Sequence, residues 1–484
     1  MCGIVGIYKT SNDVCSEIYD GLIQVQHRGQ DAAGISTWDG SKMHLQKELG
    51  LVTEAFKKES SYSHLVGNIG IGHVRYPTAG SDDISEAQPF HTANPVNITI
   101  AHNGTLINSE KIRGDLVKTH FCQFNTNSDS EVLLNLFAYE LHKTNFRKLT
   151  NQHIYKALKG VFEKCQGGYA VTMLVAGIGL VAFRDPNGIR PLSIGKRKDS
   201  LMIASESSAL TALEFEVLSS VAPGQAIIIN ESGELFKRWI TRGNKHLPCL
   251  FEFVYFSRPD SSIDSISVHK TRLRMGDFLG EKIKNEYGKL DIDVVIPIPD
   301  TSRTAAMQVA YKLGVKYREG FMKNRYIGRT FIMPGQSLRK RTVKQKLNPI
   351  DIEFNNKNVL LVDDSIVRGH TSKRIIQMVK NSGAKKVYFA SASPPIRFQN
   401  IYGIDMPATK ELIAHKRSVN QIKKVIGADE LIYQNLEDLK MAAQIGNPKM
   451  KEFEDSVFTG QYNVGTVTKE FLSRLEKSRL DSNR

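Results

Sequence analysis

The sequence reads Val359-Leu360-Leu361-Val362-Asp363-Asp364-Ser365-Ile366-Val367-Arg368-Gly369-His370-Thr371-Ser372 in the second half of its 484 residues. Four apolar residues typical of a buried strand lead into two adjacent carboxylates, a glycine turn and hydroxyl residues that can open a helix. In an open parallel sheet, ligands bind beyond the carboxyl ends of the strands, and the N–H groups of a helix N-terminus favour phosphate. The run therefore predicts a phosphate site. The alternative is a plain strand–turn–helix with an aspartate cap.

Apolar strands alternate with helical segments around this run. A strand at Val294–Ile296 precedes a helix from about Thr304 to Leu313, and a helix at Ser372–Asn381 is followed by a strand at Lys386–Ala390. This order is typical of an α/β domain, a parallel sheet flanked by helices, which we assign to residues 250–465. The charged tail, residues 466–484, is predicted to form a C-terminal helix.

The first half has a different, strand-rich character, and we assign residues 2–240 to a separate domain. A helix is predicted at Ser130–His142, where apolar residues share one face and Asp129 can serve as the N-cap. The predicted strands are Ile69–Val74, Val96–Ala101, Tyr169–Ala176, Leu180–Phe183, Leu201–Ala204 and Ala226–Ile229.

The Val359–Ser372 run resembles the binding signature of the type I phosphoribosyltransferases, which take 5-phosphoribosyl-1-pyrophosphate (PRPP). The resemblance implies that Asp363 and Asp364 lie at the ribose and at a Mg²⁺ ion. His370 departs from the family pattern, because the closest relatives usually have threonine there. The implied PRPP-binding residues of this segment are Asp363, Asp364, Arg368, Gly369, Thr371 and Ser372.

Two further segments match parts of the same family. Pro297–Arg303 occupies the place of its pyrophosphate loop, which makes Thr301 a magnesium-side ligand; the alternative is a turn that caps the next helix. The basic stretch Lys323–Thr330 resembles the loop that closes over the substrate, with Lys323 and Arg329 at the pyrophosphate. A charge run is usually a solvated face. Residues 320–350, however, contain no acidic side chain to compensate the basic ones, which suits an anionic ligand.

The chain begins Met1-Cys2-Gly3-Ile4-Val5-Gly6-Ile7. Removal of Met1 makes Cys2 the first residue, with a nucleophilic sulfur and a free α-amine on the same residue. Such an amine, whose ordinary pKa is near ~8, can act as the general base for its own side chain. The alternative is an ordinary cysteine next to the initiator.

The segments Cys2–Gly6, His27–Gly34, His73–Thr78 and His102–Gly104 together resemble the class II glutamine amidotransferases. These are N-terminal nucleophile hydrolases, with a four-layer αββα fold, that release ammonia from glutamine. The resemblance implies that Cys2 is the nucleophile and that Asn103 and Gly104 form the oxyanion hole. An Asn-Gly β-turn is the alternative for that pair. The implied glutamine-binding residues are Arg28, Arg75, Thr78 and Asp129.

His27, His73 and His102 are tempting catalytic bases. The α-amine already fills that role, so we expect structural roles for all three.

A glutaminase followed by a phosphoribosyltransferase in one chain resembles the amidophosphoribosyltransferase family over essentially the whole sequence. The resemblance implies transfer of the amide nitrogen of L-glutamine to PRPP, which gives 5-phosphoribosylamine, glutamate and pyrophosphate. This is a glycosyltransferase (pentosyltransferase) reaction and the first step of de novo purine (IMP) synthesis. Mg²⁺, feedback inhibition by purine nucleotides and a homo-oligomer, a tetramer, are implied too.

The sequence also predicts which branch of that family applies. One branch has a cleaved propeptide and an iron–sulfur cluster on four cysteines. Here Cys2 follows Met1 directly, which predicts no propeptide. Of the cluster positions only Cys249 has a counterpart, while the later ones read Asn400 and the cysteine-free stretch Ser456–Phe458. We therefore expect no iron–sulfur cluster.

Composition and charge limit the location and the partners that this protein can have. The five cysteines are scattered, without a C-x-x-C pair, which argues against a disulfide framework and for a reducing, cytoplasmic location. The longest apolar stretch, Tyr169–Phe183, is broken by glycines and too short to span a membrane.

The formal net charge of +15 allows nucleic-acid binding. That interpretation leaves Cys2, Arg75 and Asn103 unexplained, so we expect no nucleic-acid partner. A glutaminase that feeds another acceptor, such as a sugar phosphate, is disfavoured by the Asp363-Asp364 run.

Overall fold

The protein is described by a computed structural model that covers residues 1–10, 13–57, 62–76, 83–120, 122–323 and 347–481. Within these residues the first half of the chain forms two stacked antiparallel sheets, and the second half forms a parallel sheet.

The strands of the first half belong to two sheets. A seven-stranded sheet has the order β11-β9-β10-β1-β4-β2-β3, and a six-stranded sheet has the order β13-β12-β8-β7-β6-β5. The strands are β1 (Gly3–Tyr8), β2 (Ala32–Trp38), β3 (Met43–Leu49), β4 (Ile69–Arg75), β5 (Phe90–Thr92), β6 (Ile98–Leu106), β7 (Gly167–Val175), β8 (Gly179–Arg184), β9 (Ser193–Arg197), β10 (Ser200–Ala204), β11 (Glu216–Ser220), β12 (Gln225–Asn230) and β13 (Leu235–Trp239).

Helices cover the outer face of each sheet, so that the layers are αββα. Apolar side chains of the two sheets, such as Ile71 and Ile203 from one and Leu174 and Ile227 from the other, form the core between them. The helices on the seven-stranded sheet are α1 (Cys15–Gln24), α2 (Val52–Ala55) and α6 (Ser207–Ala212), and those on the six-stranded sheet are α3 (Ser109–His120), α4 (Asp129–His142) and α5 (Asn151–Lys164). The predicted N-terminal nucleophile hydrolase fold is confirmed.

The second half is organised by a five-stranded sheet of order β17-β16-β20-β21-β22, whose neighbouring strands are all parallel. Its strands, with two small hairpins, are β14 (Ser262–Ile263), β15 (Ile266–Ser267), β16 (Val294–Pro297), β17 (Lys316–Tyr317), β18 (Phe321–Lys323), β19 (Leu347–Pro349), β20 (Asn358–Asp363), β21 (Lys386–Ser391) and β22 (Glu430–Tyr433). Its helices are α7 (Val268–Glu286), α8 (Arg303–Leu313), α9 (His370–Asn381), α10 (Val419–Ile426), α11 (Leu436–Gln444), α12 (Ser456–Thr459) and α13 (Lys469–Asp481).

Alternation along β20 gives the parallel sheet two buried faces. Leu360 and Val362 contribute to the core that contains α7 and α8, whereas Val359 and Leu361 contribute to the core that contains α9 and α10. Strands buried on both faces read as continuous apolar runs, which is why Val359–Val362 carries no polar residue. The predicted α/β phosphoribosyltransferase fold is confirmed.

Three local expectations differ from the structure. Asn103 and Gly104 lie inside β6 rather than in a hairpin turn, because β6 continues through them in register with β7. Asp129 is the first residue of α4, and Ser128 is its N-cap, with the Ser128 side chain accepting from the N–H of Ser130. Ser302 precedes α8 but does not cap it, since its hydroxyl donates to the carbonyl of Ile298.

The two halves share buried contacts. Met1, Ile107 and Ile189 of the first half belong to the apolar core of the second half. Arg184 donates from both terminal nitrogens to the Asp264 carboxylate at 2.7 and 2.8 Å, and both side chains are buried. No helix among the described residues has the length and apolar character that crossing a membrane requires.

The Arg184–Asp264 pair makes the interface between the halves sensitive to acid. Burial raises the pKa of Asp264, but the charge and hydrogen bonds of Arg184, with those of His246, outweigh it and hold that pKa well below its usual value. A carboxyl whose folded pKa lies below its unfolded value of about 4 stabilises the fold above that pH and loses the stabilisation as pH falls. We expect Asp264→Asn to lower the melting temperature at pH 7 and to flatten the further decrease that the wild type shows below about pH 5, measured by thermal unfolding.

Asp260→Asn is the matched control, because Asp260 pairs with Arg258 at 2.7 Å in an exposed position. We expect its melting curve to follow that of the wild type at every pH. Parallel pH profiles for Asp264→Asn and the wild type would contradict this account of the interface.

Candidate functional site

Cys2 lies where the two sheets of the first half meet. It directly precedes β1, which is paired on both sides by β4 and β10. The N–H of Cys2 donates to Oδ1 of Asn103 at 3.3 Å, and the Cys2 Sγ is 3.9 Å from the carbonyl oxygen of Tyr76. The first sheet thus presents the sulfur, while the second sheet supplies the asparagine beside it.

Asn103 and Gly104 are arranged as donors next to this sulfur-bearing residue. Asn103 is completely buried, and among the described residues its Nδ2 has no hydrogen-bond partner. An unpaired buried N–H₂ is costly unless a ligand or a reacting oxygen accepts from it. Gly104 has a φ of +153°, a backbone conformation that side chains rarely adopt. The pair therefore has the chemistry of an oxyanion hole.

Arg75 and Asp129 lie at the ends of elements that reach the same site. Arg75 ends β4 and is buried, and its Nη1 has no hydrogen-bond partner among the described residues. Asp129 begins α4, and its Oδ2 accepts from the N–H of Leu106 at 2.8 Å, two residues beyond Gly104. A free guanidinium nitrogen suits a carboxylate, and a partly exposed carboxylate suits an ammonium group. Thr78, the fourth predicted contact, lies outside the described residues.

His27, His73 and His102 occupy structural positions. Burial lowers the pKa of His73 to about 3 and also lowers that of His102, so both rings are neutral at pH 7. His102 contacts the Ser130 hydroxyl at 2.9 Å, and His27 contacts the Glu206 carboxylate at 2.7 Å.

Arg28 departs from its predicted role as a glutamine-binding residue. Its side chain is fully buried, and its Nε donates to the carbonyl oxygen of Cys2 at 3.1 Å. One terminal nitrogen donates to Glu206 at 2.5 Å, and the other donates to Glu252 at 2.7 Å. With its donors directed to these oxygens, Arg28 orients the Cys2 backbone.

Glu206 and Glu252 are functional residues that sequence reasoning missed. Glu206 follows β10 as the N-cap of α6, and Glu252 lies in the second half of the chain. Both are buried, and the charges of Arg28 and of its neighbours keep the pKa of each below its usual value although burial acts in the opposite direction. Glu206 stands two residues beyond the apolar strand that ends at Ala204, whereas Glu252 follows no predicted strand.

Met1 is buried beside Cys2 in the described chain. Its amine is removed from water and lies near Arg28 and Arg190, and burial lowers the pKa of this amine to about 6, with these arginines contributing and nearby Asp405 opposing.

A second polar site lies at the carboxyl ends of β16 and β20. Asp364 accepts from the Thr301 hydroxyl and from the Ser365 hydroxyl, the latter at 2.7 Å, while its N–H donates to Asp363 at 3.0 Å. Burial and then the neighbouring Asp364 charge raise the pKa of Asp363 well above its usual range. Two carboxylates held this close favour a cation between them and their ligand.

The turn from β20 into α9 is the segment that the sequence predicts to bind a phosphate. Gly369 has a φ of +76°, and α9 begins at the next residue, so its first N–H groups point out of the turn. Ser372 is buried within the first turn of α9, while His370 and Thr371 are exposed at its mouth. Arg368 pairs with Glu411 at 3.2 Å, and its Nε has no hydrogen-bond partner among the described residues.

Of the basic stretch Lys323–Thr330 that is predicted to close over the substrate, only Lys323 is among the described residues. Lys323 ends β18 and forms an ion pair with Asp300, in the loop between β16 and α8. The Pro299–Asp300 peptide bond in that loop is cis. Arg329 lies outside the described residues.

The two sites approach each other through Tyr76 and Asp405. Burial raises the pKa of the Tyr76 phenol, the Asp405 charge adds to that increase, and the Arg368 charge opposes it. Tyr76 therefore lies within electrostatic range of Arg368 in the phosphate turn, while its own carbonyl oxygen lies 3.9 Å from the Cys2 sulfur. Neither Tyr76 nor Asp405 was predicted as a site residue from the sequence.

Comparison with known proteins matches both halves. A glutamine amidotransferase domain model matches residues 73–212, and a phosphoribosyl transferase domain model matches residues 262–395. The chain is 54% identical to the amidophosphoribosyltransferase of Pseudomonas aeruginosa, over 100% of this chain and 97% of that protein. It is 53% identical to the Escherichia coli enzyme of the same name, over 99% of this chain and 96% of that protein. The solved glutamine PRPP amidotransferase from B. subtilis, complexed with ADP and GMP, is 36% identical with a TM-score of 0.85, over 97% of this chain and 98% of that chain.

The fold and the two sites define a glutamine-dependent enzyme that acts on a phosphoribosyl substrate. The chain belongs to the amidophosphoribosyltransferase family. The activity of this family is glutamine-dependent amino transfer to PRPP in purine biosynthesis, and the predicted reaction is thereby confirmed.

Asn103→Ala tests the proposed donor of the first site. Loss of one oxyanion-hole donor lowers kcat about 10²–10³-fold in other acyl-transfer enzymes, so we expect a loss of that size in glutamine-dependent kcat. The KM for glutamine should change far less, because Arg75 and Asp129 remain. Steady-state kinetics with glutamine or with ammonia as nitrogen donor measure both effects.

The control is Asn97→Ala, since the Asn97 side chain makes only an exposed contact with His91 at 3.1 Å. Asn97→Ala should leave both activities unchanged. A glutamine-dependent kcat of Asn103→Ala close to that of the wild type would exclude Asn103 from the oxyanion hole.

Proposed function

We propose that Cys2, freed by removal of Met1, is the nucleophile that releases ammonia from L-glutamine. Its α-amine takes the thiol proton, and the thiolate attacks the amide carbon of glutamine. The Asn103 Nδ2 and the Gly104 N–H stabilise the oxyanion, and the α-ammonium group returns its proton to the amide nitrogen, which leaves as ammonia. Water then hydrolyses the thioester, which gives glutamate and restores the thiol. The unpaired, buried Nδ2 of Asn103 beside Cys2 is the observation that carries this assignment.

The α-groups of glutamine are assigned to the two charged residues that flank the oxyanion hole. The unpaired Nη1 of Arg75 binds the α-carboxylate, and the partly exposed carboxylate of Asp129 binds the α-ammonium. Thr78 adds a further contact by the family resemblance. Arg28 instead fixes the Cys2 backbone by donating to its carbonyl oxygen.

PRPP binds at the second site, at the edge of the parallel sheet. The N–H groups at the start of α9, with Gly369, Thr371 and Ser372, hold its 5-phosphate, and Asp363 and Asp364 hold the ribose. Lys323, Arg368 and, by resemblance, Arg329 compensate the charge of the pyrophosphate. Ammonia attacks C1 of the ribose as the bond to pyrophosphate breaks, and loss of one proton gives 5-phosphoribosylamine.

Phosphoribosyltransferases generally use Mg²⁺ with PRPP, and the residues present fit that ion. Asp363 and Asp364 are adjacent carboxylates at the carboxyl end of β20, and the Thr301 hydroxyl donates to Asp364, so the oxygen atoms gathered here are of the kind that Mg²⁺ prefers. Among the described residues no group of three or more His, Cys, Asp or Glu side chains could hold a metal alone, so substrate and water would complete its ligands. When bound, Mg²⁺ neutralises the charge of the departing pyrophosphate.

Four broader properties complete the proposal. The protein carries no iron–sulfur cluster, because Cys249 has Glu454, Asn400 and Ser456 around it in place of further thiolates. Purine nucleotides inhibit it, which accords with the ADP and GMP named for the related B. subtilis structure. By family resemblance the protein is a tetramer. Its scattered cysteines and its metabolic role favour the cytoplasm.

Cys2→Ala separates the two sites. The variant lacks the nucleophile but keeps the PRPP site, so we expect no product from glutamine and near-wild-type 5-phosphoribosylamine synthesis from ammonia, measured with each donor in turn. Cys122→Ala, a half-buried cysteine away from the site, is the control and should keep both activities.

Asp363→Asn provides the opposite case, because it removes a carboxylate from the PRPP site and leaves Cys2 intact. Synthesis from both donors should be lost. If Cys2→Ala also lost the ammonia-dependent reaction while remaining folded, the assignment of two separate sites would be wrong.

A further inference from the structure

The second domain touches the oxyanion hole of the first through two glycines. A methyl group placed on Gly403 would lie 2.8 Å from the Cα of Gly104 and 3.0 Å from its carbonyl carbon. Non-bonded carbon atoms prefer about 3.5–4.0 Å, so only a residue without Cβ allows the two backbones to approach this closely. Gly403 also has a φ of +106°. The Gly403 backbone is therefore packed directly against the Gly104 backbone.

Gly104 is also closely packed on the side where its own Cβ would stand. A methyl group on Gly104 itself would lie 2.1 Å from the carbonyl oxygen of Gly168 and 2.7 Å from the Cα of Tyr169, both on β7. The Nε2 of His102 would lie 2.9 Å from the same position. Gly104 is thus held between a strand of its own domain and a turn of the other domain.

The turn that carries Gly403 is itself rigidly held. Oδ1 of the buried Asn400 accepts from the N–H groups on both sides of Gly403, at 2.8 Å from Tyr402 and at 3.0 Å from Ile404. The Tyr402 hydroxyl donates to the carbonyl oxygen of Val464 at 2.8 Å. A buried side chain with these bonds fixes the turn as firmly as regular secondary structure does.

We propose that Gly403 is a positioning residue for glutamine hydrolysis: by its backbone contact, the phosphoribosyltransferase domain sets the place of the Gly104 peptide in the oxyanion hole. The inference rests on the proposed role of Gly104. Donors stabilise an oxyanion only when they lie within a few tenths of an ångström of the correct distance. The glutaminase site is therefore complete only with the second domain docked on it.

Gly403→Ala tests the contact directly. The added methyl must push the Gly104 peptide, so the glutamine-dependent kcat should fall at least about tenfold, as expected for a displaced oxyanion donor. Glutamine binding through Arg75 and Asp129 is untouched, so the KM for glutamine should stay within about twofold. The ammonia-dependent reaction bypasses the oxyanion hole and should also stay within about twofold of the wild type.

Gly427→Ala is the matched control. Gly427 also has a positive φ, +80°, so alanine is strained there too, but nothing lies within 4 Å of the added methyl group. This variant should keep both activities. Any loss shared by the two variants reports backbone strain rather than the contact with Gly104.

The outcomes separate this inference from the proposed function. If Gly403→Ala keeps its glutamine-dependent kcat, or loses ammonia-dependent activity equally while Gly427→Ala does not, the positioning role is wrong. If the wild type makes no product from glutamine, or Asn103→Ala is fully active, the proposed oxyanion hole itself fails.

Asn400→Ala gives a second approach should Gly403→Ala not fold. It releases the turn without adding a methyl group, and it should lower the glutamine-dependent kcat more than the ammonia-dependent kcat. Equal retention of both rates would overturn the inference.

Discussion

The buried guanidinium of Arg28 is the group on which the arrangement of the molecule depends. It binds the Cys2 carbonyl oxygen, Glu206 of the first domain and Glu252 of the second domain. A buried charge costs several kcal/mol unless it is paired, so each partner must stay in place once the guanidinium is enclosed. One side chain therefore fixes the nucleophile relative to both domains.

This constraint makes the second domain part of the first active site. Glu252 of the second domain binds Arg28, which holds the Cys2 carbonyl oxygen, and Gly403 of that domain lies against Gly104. Tyr76 lies within electrostatic range of Arg368 in the phosphate turn. The glutaminase site and the PRPP site are consequently built on one continuous set of buried contacts, which suits an enzyme that must pass ammonia from one to the other.

Patterns that are local in sequence predicted most of the fold. The apolar run Val359–Val362 predicted β20, and the carboxylates and glycine behind it predicted the phosphate cradle at its end. Motif resemblance supplied Cys2 and Asn103. The role of Arg28 could not be predicted, because its partners Glu206 and Glu252 lie 178 and 224 residues away. The contact of Gly403 with Gly104 is equally remote, and a single glycine carries no signal of what packs against it.

A double-mutant cycle between Arg28 and Glu252 tests the central claim most directly. Arg28→Leu and Glu252→Leu each leave a buried charge without its main partner, and breaking such a pair typically costs about 3–5 kcal/mol. Removing both charges together avoids that penalty for this pair and leaves Glu206 with His27 as a partner, so urea unfolding of the wild type, both single variants and the double variant should give a coupling free energy above about 2 kcal/mol. Additive losses from the two substitutions would contradict the account, because Arg28 would then not be the residue that joins Cys2 to both domains.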